Sequence, residues 1–209
     1  MRVICISRTI AAGGEAIGKR VAERLGFSYV DEEVIALASK KTHLDPQMVA
    51  QAEHRTSILD RLLGAMAVWP TDMPTAAGEF YAPPGSMMTR PVEEELRGLI
   101  REAIVEIAAR GNAVIVAHAA SYALGQQPEV LRVLATASRE TRVERLRQSG
   151  ASATEAAATV RDSDRERAAY LRNFYEVREE LPTHYDVVVN TDNLGIERAV
   201  EIILTAARG

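Results

Sequence analysis

Four short apolar runs rich in β-branched residues, at positions 3–6, 113–117, 130–135 and 187–189, constrain the fold more than any other feature of this chain. Each runs straight into polar or small residues without alternation, the pattern of strands buried on both faces of a parallel sheet. A fifth candidate covers positions 27–30, entered from Gly26 as a helix stop and left through Asp31, Glu32 and Glu33. Helical patterns fill the intervals at 15–25, 32–41, 92–110, 139–148, 154–180 and 195–207. Strands alternating with helices predict right-handed crossovers and an α/β fold whose five-stranded parallel sheet is covered on both sides.

Capping chemistry supports these boundaries. Ser138 can cap the helix after the fourth strand, and Ser152 with Glu155 makes an S-x-x-E capping box ahead of a long charged helix. The pattern fails between 65 and 91, where Pro70, Pro74, Pro83, Pro84 and Pro91 interrupt Gly78, Gly85 and the aromatics Trp69, Phe80 and Tyr81. A stretch of that length reads either as a functional insertion or as disorder. With 209 residues, 47% of them apolar, the chain fits one globular domain carrying smaller insertions.

Several function classes are disfavoured. A net charge of -4 gives no general attraction to nucleic acid, although local arginine clusters can still hold a phosphorylated small molecule. No run approaches the roughly 20 apolar residues that a membrane span needs, and positions 1–6 do not read as a signal peptide, so a soluble cytoplasmic protein is expected. Cys5 is the sole cysteine and reads as core filler. His43, His54 and His184 lack metal-ligand spacing and read as surface or capping residues, so no resident metal site is expected. No G-x-S-x-G turn or other nucleophile system occurs.

The first strand leads through Ser7-Arg8-Thr9-Ile10-Ala11-Ala12-Gly13-Gly14 into a helix. Amides at a helix N-terminus point outward with the positive end of the dipole, and glycine lets a phosphate approach them. Gly13-x-x-x-x-Gly18-Lys19 matches most of G-x-x-x-x-G-K-[ST], with Arg20 in place of the magnesium-binding hydroxyl. Gly13, however, lies seven residues beyond Ile6, too far for that pattern. Counting back from Val21-Ala22-Glu23-Arg24-Leu25 instead puts Gly14 at the usual lysine position and Ala16 at the usual hydroxyl. Lys19 then lies one turn into the helix and reads also as a solvated surface lysine. The amides around Gly13 and Gly14 survive this realignment, and Arg8 can supply the missing charge or serve as a structural ion-pair partner.

Separated segments together resemble the cytidylate kinase-like family. They are Val3-Ile4-Cys5-Ile6-Ser7-Arg8 with Gly13-Gly14-x-x-Ile17-Gly18, and Leu25-Gly26-Phe27-x-Tyr29-x-Asp31. Further on come Gly111-Asn112-Ala113-Val114-Ile115-Val116, Ala137-Ser138-x-Glu140-x-Arg142-x-x-Arg145, Asp164-Arg165-x-Arg167, and His184-Tyr185-Asp186-Val187. The resemblance spans nearly the whole chain in order. It implies a three-layer P-loop kinase fold with a helical NMP-binding insertion at 42–91 and a lid at 152–180. The implied activity is transfer of the ATP γ-phosphoryl group to CMP or dCMP, with Mg²⁺; a homodimer is left open.

The resemblance also implies roles. Gly13, Gly14, Glu15, Ala16, Ile17 and Lys19 would hold the donor, and Arg8, Arg161, Arg165 and Arg167 would act on the transferring group. Arginine suits that work because its planar fork grips phosphate oxygens in pairs. The alternative is a salt-laced solvated face. Asp31, Arg90 and His118 would contact the acceptor, near Phe80 and Tyr81; Asp31 reads equally as a helix cap and Arg90 as a surface arginine. Two departures from the family pattern stand out. Ala117-His118-Ala119 replaces Gly-Arg-Gly, exchanging a permanent cation for a group mostly neutral at pH 7, and Ala11-Ala12 replaces Gly-Ser. The departures favour, as rival readings, a weak or inactive nucleotide-binding regulatory protein or a kinase for another small substrate.

Overall fold

The structure is a computed structural model that describes residues 1–31, 34, 37, 90–116 and 119–208. Five strands form one parallel sheet: β1 (Val3–Arg8), β2 (Ser28–Val30), β3 (Ala113–Ile115), β4 (Val130–Thr136) and β5 (Val187–Asn190). Their spatial order is β2-β3-β1-β4-β5, so β1 is the central strand. Val3 stands beside Ala113 on one side and Val130 on the other.

The continuous apolar runs serve two cores at once. Successive side chains point to opposite faces, so Val3, Cys5, Ala113 and Ile115 pack with Ile100, Ile104 and Ile107 of α2 (Arg90–Arg110) and with Ala120 and Ala123 of the short α3 (Ala120–Leu124). Ile4, Ile6, Val114, Val116, Leu131 and Val133 pack on the other face with Ile17 and Val21 of α1 (Gly14–Leu25) and with Ile203 and Leu204 of α6 (Ile196–Arg208). Ion pairs of Arg20 with Glu197 and of Arg24 with Glu201 join α1 to α6 at the surface, where such pairs add little to stability.

Helix ends follow the local chemistry. Gly26 stops α1 in the left-handed region at φ 67°, where Phe27 N–H reaches the Ala22 carbonyl at 2.9 Å. Ser138 caps α4 (Arg139–Gln148), accepting from the Thr141 amide at 3.3 Å. The expected capping box opens α5 (Ala153–Tyr175), with Glu155 accepting from the Ser152 amide at 3.0 Å and the Glu155 amide donating to Ser152 Oγ at 3.3 Å. Two expectations differ from what is observed. α5 ends at Tyr175 rather than at 180, because Glu176 adopts φ 57° and Val177 N–H turns back to the Leu171 carbonyl. The structure also has α3, which was not expected, started by Ala119 at φ 49°. Of the helix expected at 32–41, Val34 and Leu37 are described and helical.

Candidate functional site

The turn between β1 and α1 lies at the C-terminal end of the central strand, where open α/β sheets bind ligands. Thr9 N–H donates to the Ala135 carbonyl, and Ala12 N–H to the Thr9 carbonyl, each at 3.2 Å. Ala11 and Gly13 both hold positive φ, 58° and 81°. The first helical bond runs from Ile17 N–H to the Gly13 carbonyl at 3.0 Å, so the amides of Gly14, Glu15 and Ala16 have no intrahelical acceptor. They present the positive end of the α1 dipole.

Gly13 is required by its left-handed backbone and Gly14 by space. A Cβ on Gly13 would stand 2.6 Å from Ile196 Cδ1, and one on Gly14 would stand 2.5 Å from Arg8 Cβ and 3.0 Å from Arg8 Cδ. The Arg8 stem therefore occupies the volume that a side chain at position 14 would need. Its Nη2 pairs with Glu15 Oε1 at 2.7 Å. Arg8 Nε and Thr9 Oγ1 are buried and find no hydrogen-bond partner among the described residues. Such groups are costly to leave unmet.

Behind the turn, Arg145 on α4 donates from Nη1 to the Ala11 carbonyl at 3.0 Å and to Thr191 Oγ1 at 2.9 Å, and from Nη2 to the Thr191 carbonyl at 2.6 Å. Thr191, fully buried after β5, lies 2.9 Å through its hydroxyl from the Ala12 carbonyl.

The formal lysine pattern resolves into other contacts. A Cβ on Gly18 would lie 2.4 Å from Val116 Cγ2, so this glycine lets α1 sit close on the sheet. Lys19 Nζ lies 5.6 Å from the centre of the Tyr29 ring. Arg20 faces Glu197. Tyr29 Oη donates to Asp31 Oδ2 at 3.2 Å, and burial together with that neighbouring carboxylate pushes the phenol up to about 12. Asp31 thus stands at the end of β2 on the Lys19 side of α1.

Of the arginines expected on α5, Arg161 pairs with neighbouring Asp162 at 3.0 Å and Arg165 is exposed. Arg167 is mostly buried and held. Its Nε and Nη2 donate to the two oxygens of Glu180 at 2.8 and 2.5 Å, Nη2 also to Tyr185 Oη at 3.3 Å, and Nη1 reaches the Arg8 carbonyl at 3.4 Å. Tyr185 donates to Glu180 and also approaches Tyr122 Oη, at 3.3 Å, while Tyr122 Oη lies 3.1 Å from His184 Nδ1. Burial opposes charge on Glu180, yet the Arg167 guanidinium outweighs it and holds the carboxyl below its ordinary value. Burial raises the Tyr185 phenol. Sequence reasoning missed Glu180 and Tyr185 as partners of Arg167, and Tyr122 as a partner of Tyr185, because contacts between residues 13 to 63 positions apart leave no periodic signal. His118 and residues 42–89 lie outside the described residues, as does the side chain of Arg90, the first residue of α2.

These residues fit an anionic donor: around one turn stand the amides of Gly14, Glu15 and Ala16, which lack intrahelical acceptors, with a buried guanidinium Nε and a hydroxyl that find no partner among the described residues. They offer less to magnesium. Ala16 has no hydroxyl, Glu15 is engaged by Arg8, and no group of three or more His, Cys, Asp or Glu suited to a metal occurs among the described residues.

No curated protein matches the sequence. Among solved structures, an uncharacterized protein from Eubacterium ventriosum is similar with a TM-score of 0.65 at 15% identity, covering 100% of this chain and 99% of that one. Shikimate kinase from Bacteroides thetaiotaomicron gives 0.51 at 16% identity, covering 100% and 99%. Shikimate kinase from Acinetobacter baumannii, in complex with shikimate, gives 0.50 at 14% identity, covering 99% and 92%. At such identities the likeness establishes the fold alone, that of the P-loop kinases. The sequence pattern of the Cytidylate kinase-like family matches residues 3–193. On that match, which runs from β1 through β5, the chain belongs to the cytidylate kinase-like family.

Proposed function

We propose that the protein is a phosphotransferase that moves the γ-phosphoryl group of ATP to a small acceptor of the CMP or dCMP class, in the cytoplasm. The observation that carries this reading is the position of Arg8. Its stem fills the space above Gly14, the position counted as the usual lysine, and its buried Nε has no partner among the described residues. The cation of the phosphate turn has thus moved from the helix start to the strand end, and glycine at 14 makes room for it.

Gly13, Gly14, Glu15, Ala16 and Ile17 would hold the donor phosphates through the turn and the first turn of α1. Arg8 would neutralise them, exchanging Glu15 for phosphate oxygens. Arg161 and Arg165 would approach from residues 152–180 as a lid, with Arg167 as its fixed root. Asp31, Arg90 and His118 would face the acceptor together with an insertion at 42–91, and Lys19 would stand on that side beside Tyr29. When bound, ATP with Mg²⁺ supplies the transferring group and part of its charge neutralisation. The protein's share is positioning and electrostatic stabilisation.

A second reading, a nucleotide-binding protein with little turnover, is favoured by one observation: Glu15 already compensates Arg8, and Ala16 supplies no metal ligand. One assay separates the two. Purified protein is incubated with ATP, Mg²⁺ and each nucleoside monophosphate or shikimate in turn, and ADP is measured. ADP formed with CMP supports transfer to the proposed acceptor. ADP formed with another acceptor moves the substrate assignment. Nucleotide binding without ADP supports the second reading.

A further inference from the structure

Arg145 and Thr191 are partners that neither the loop pattern nor the lid explains. Arg145 commits three donors within one small region: to the Ala11 carbonyl, to Thr191 Oγ1 and to the Thr191 carbonyl. Thr191 has one hydroxyl proton and two carbonyls within reach, Ala12 at 2.9 Å and Thr136 at 3.2 Å. The Thr136 carbonyl already accepts the Thr191 amide at 2.8 Å. The shorter contact and the unclaimed acceptor both assign the hydroxyl proton to Ala12. Two successive carbonyls of the phosphate turn, at 11 and 12, are therefore drawn inward by one arginine and one threonine.

A peptide plane is rigid, so fixing a carbonyl on one side fixes the following N–H on the other. Holding the carbonyls of Ala11 and Ala12 thus orients the amide of Ala12, which closes the turn onto the Thr9 carbonyl, and that of Gly13, and with them the entry into α1. This restraint matters because Ala11 sits at φ 58°, a conformation that an L-residue adopts only when its surroundings hold it there. We infer that Arg145 and Thr191 are positioning residues for the phosphate turn, a strap from α4 and the end of β5 that fixes the turn so that the amides opening α1 stay aimed at an anionic ligand. The inference rests on the proposed nucleotide reading for its ligand, but the strap itself is a property of the unliganded chain.

The two failures can be told apart. Wild type and the variants Thr191→Val, Thr191→Ser and Arg145→Lys are titrated calorimetrically with metal-free ATP and with tripolyphosphate, and amide hydrogen exchange is followed without ligand. Valine keeps the shape of threonine but loses the hydroxyl, serine keeps the hydroxyl, and lysine keeps the charge without the fork. Thr191→Val and Arg145→Lys are expected to lose about tenfold in affinity for both anions, and Thr191→Ser to retain wild-type binding. Exchange at positions 10–17 should quicken in the first two variants. Ile203→Val, a core change on α6 that lowers stability without touching the turn, should leave both readouts unchanged, which separates positioning from general loosening.

Wild-type affinity in Thr191→Val, or exchange at 10–17 no faster than in Ile203→Val, would overturn the strap. If wild type binds neither anion, the nucleotide reading fails instead, and the exchange comparison alone then decides the strap.

Discussion

The carboxylate of Glu180 fills the guanidinium fork of Arg167, with contacts of 2.8 and 2.5 Å between side chains each about one-fifth exposed. A pair this enclosed stabilises little against a well-packed apolar substitute, but removing one partner strands the other. Glu180→Gln should therefore lower unfolding free energy by about 3 kcal/mol in urea titrations. Because the folded state holds this carboxyl below its ordinary value of 4.5, its contribution is complete above that pH and fades as pH falls towards the folded value. The wild-type acid limb should accordingly be steeper than that of the variant. Equal limbs would mean that Glu180 does not sense Arg167.

Gly14→Ala places a methyl group 2.5 Å from Arg8 Cβ. Overpacking of that kind costs about 1–3 kcal/mol, read as a lowered denaturation midpoint. The obstruction is the first carbon of the Arg8 side chain, so Arg8→Gly should restore part of the stability in the double variant and Arg8→Ala should not. Rescue by Arg8→Ala would place the conflict further out along the stem, at Cγ and Cδ.

Gly18→Ala should also destabilise by about 1–3 kcal/mol, since its methyl would lie 2.4 Å from Val116 Cγ2. Pairing it with Val116→Ala should recover most of the loss. Metal-free ATP should bind the folded double variant about as well as it binds wild type, because Gly18 packs α1 on β3 and does not line the phosphate turn. A large loss of affinity would return Gly18 to the ligand.

Burial pushes the Cys5 thiol up to about 12, leaving almost no thiolate at neutral pH. Native protein should stay unreacted with a thiol reagent over hours and react fully in guanidinium chloride. Rapid labelling of the native chain would show that β1 opens readily.

Periodicity and capping residues made the fold legible. The runs of β1, β3 and β4 are buried on both faces, whereas Val188 on the edge strand β5 is exposed, contrary to the expectation for 187–189; brevity of the runs and the helices between them suffice for a parallel sheet. Ser138, Ser152 and Gly26 act through residues within five positions, so their roles could be read directly. The turn at Gly13 and Gly14 between β1 and α1 could be located in the sequence because a strand run, a glycine pair and a helical pattern follow one another there. Gly18 could not be distinguished from a phosphate glycine without knowing that Val116 lies across from it. The Arg8 stem over Gly14, the fork of Arg167 and the Arg145 contacts all join positions brought together by crossovers, and no spacing rule encodes them. Helix α3 is five residues long and begins from an alanine in the left-handed region, so neither length nor capping chemistry announces it.

β1 runs between β3 and β4, and the turn through Gly13 grows from its far end. A ligand seated there would rest on the part of the sheet least free to shear, because moving that strand would disturb registry on two sides at once. Whatever moved around such a ligand would then have to come from the periphery, while the floor beneath it stayed still.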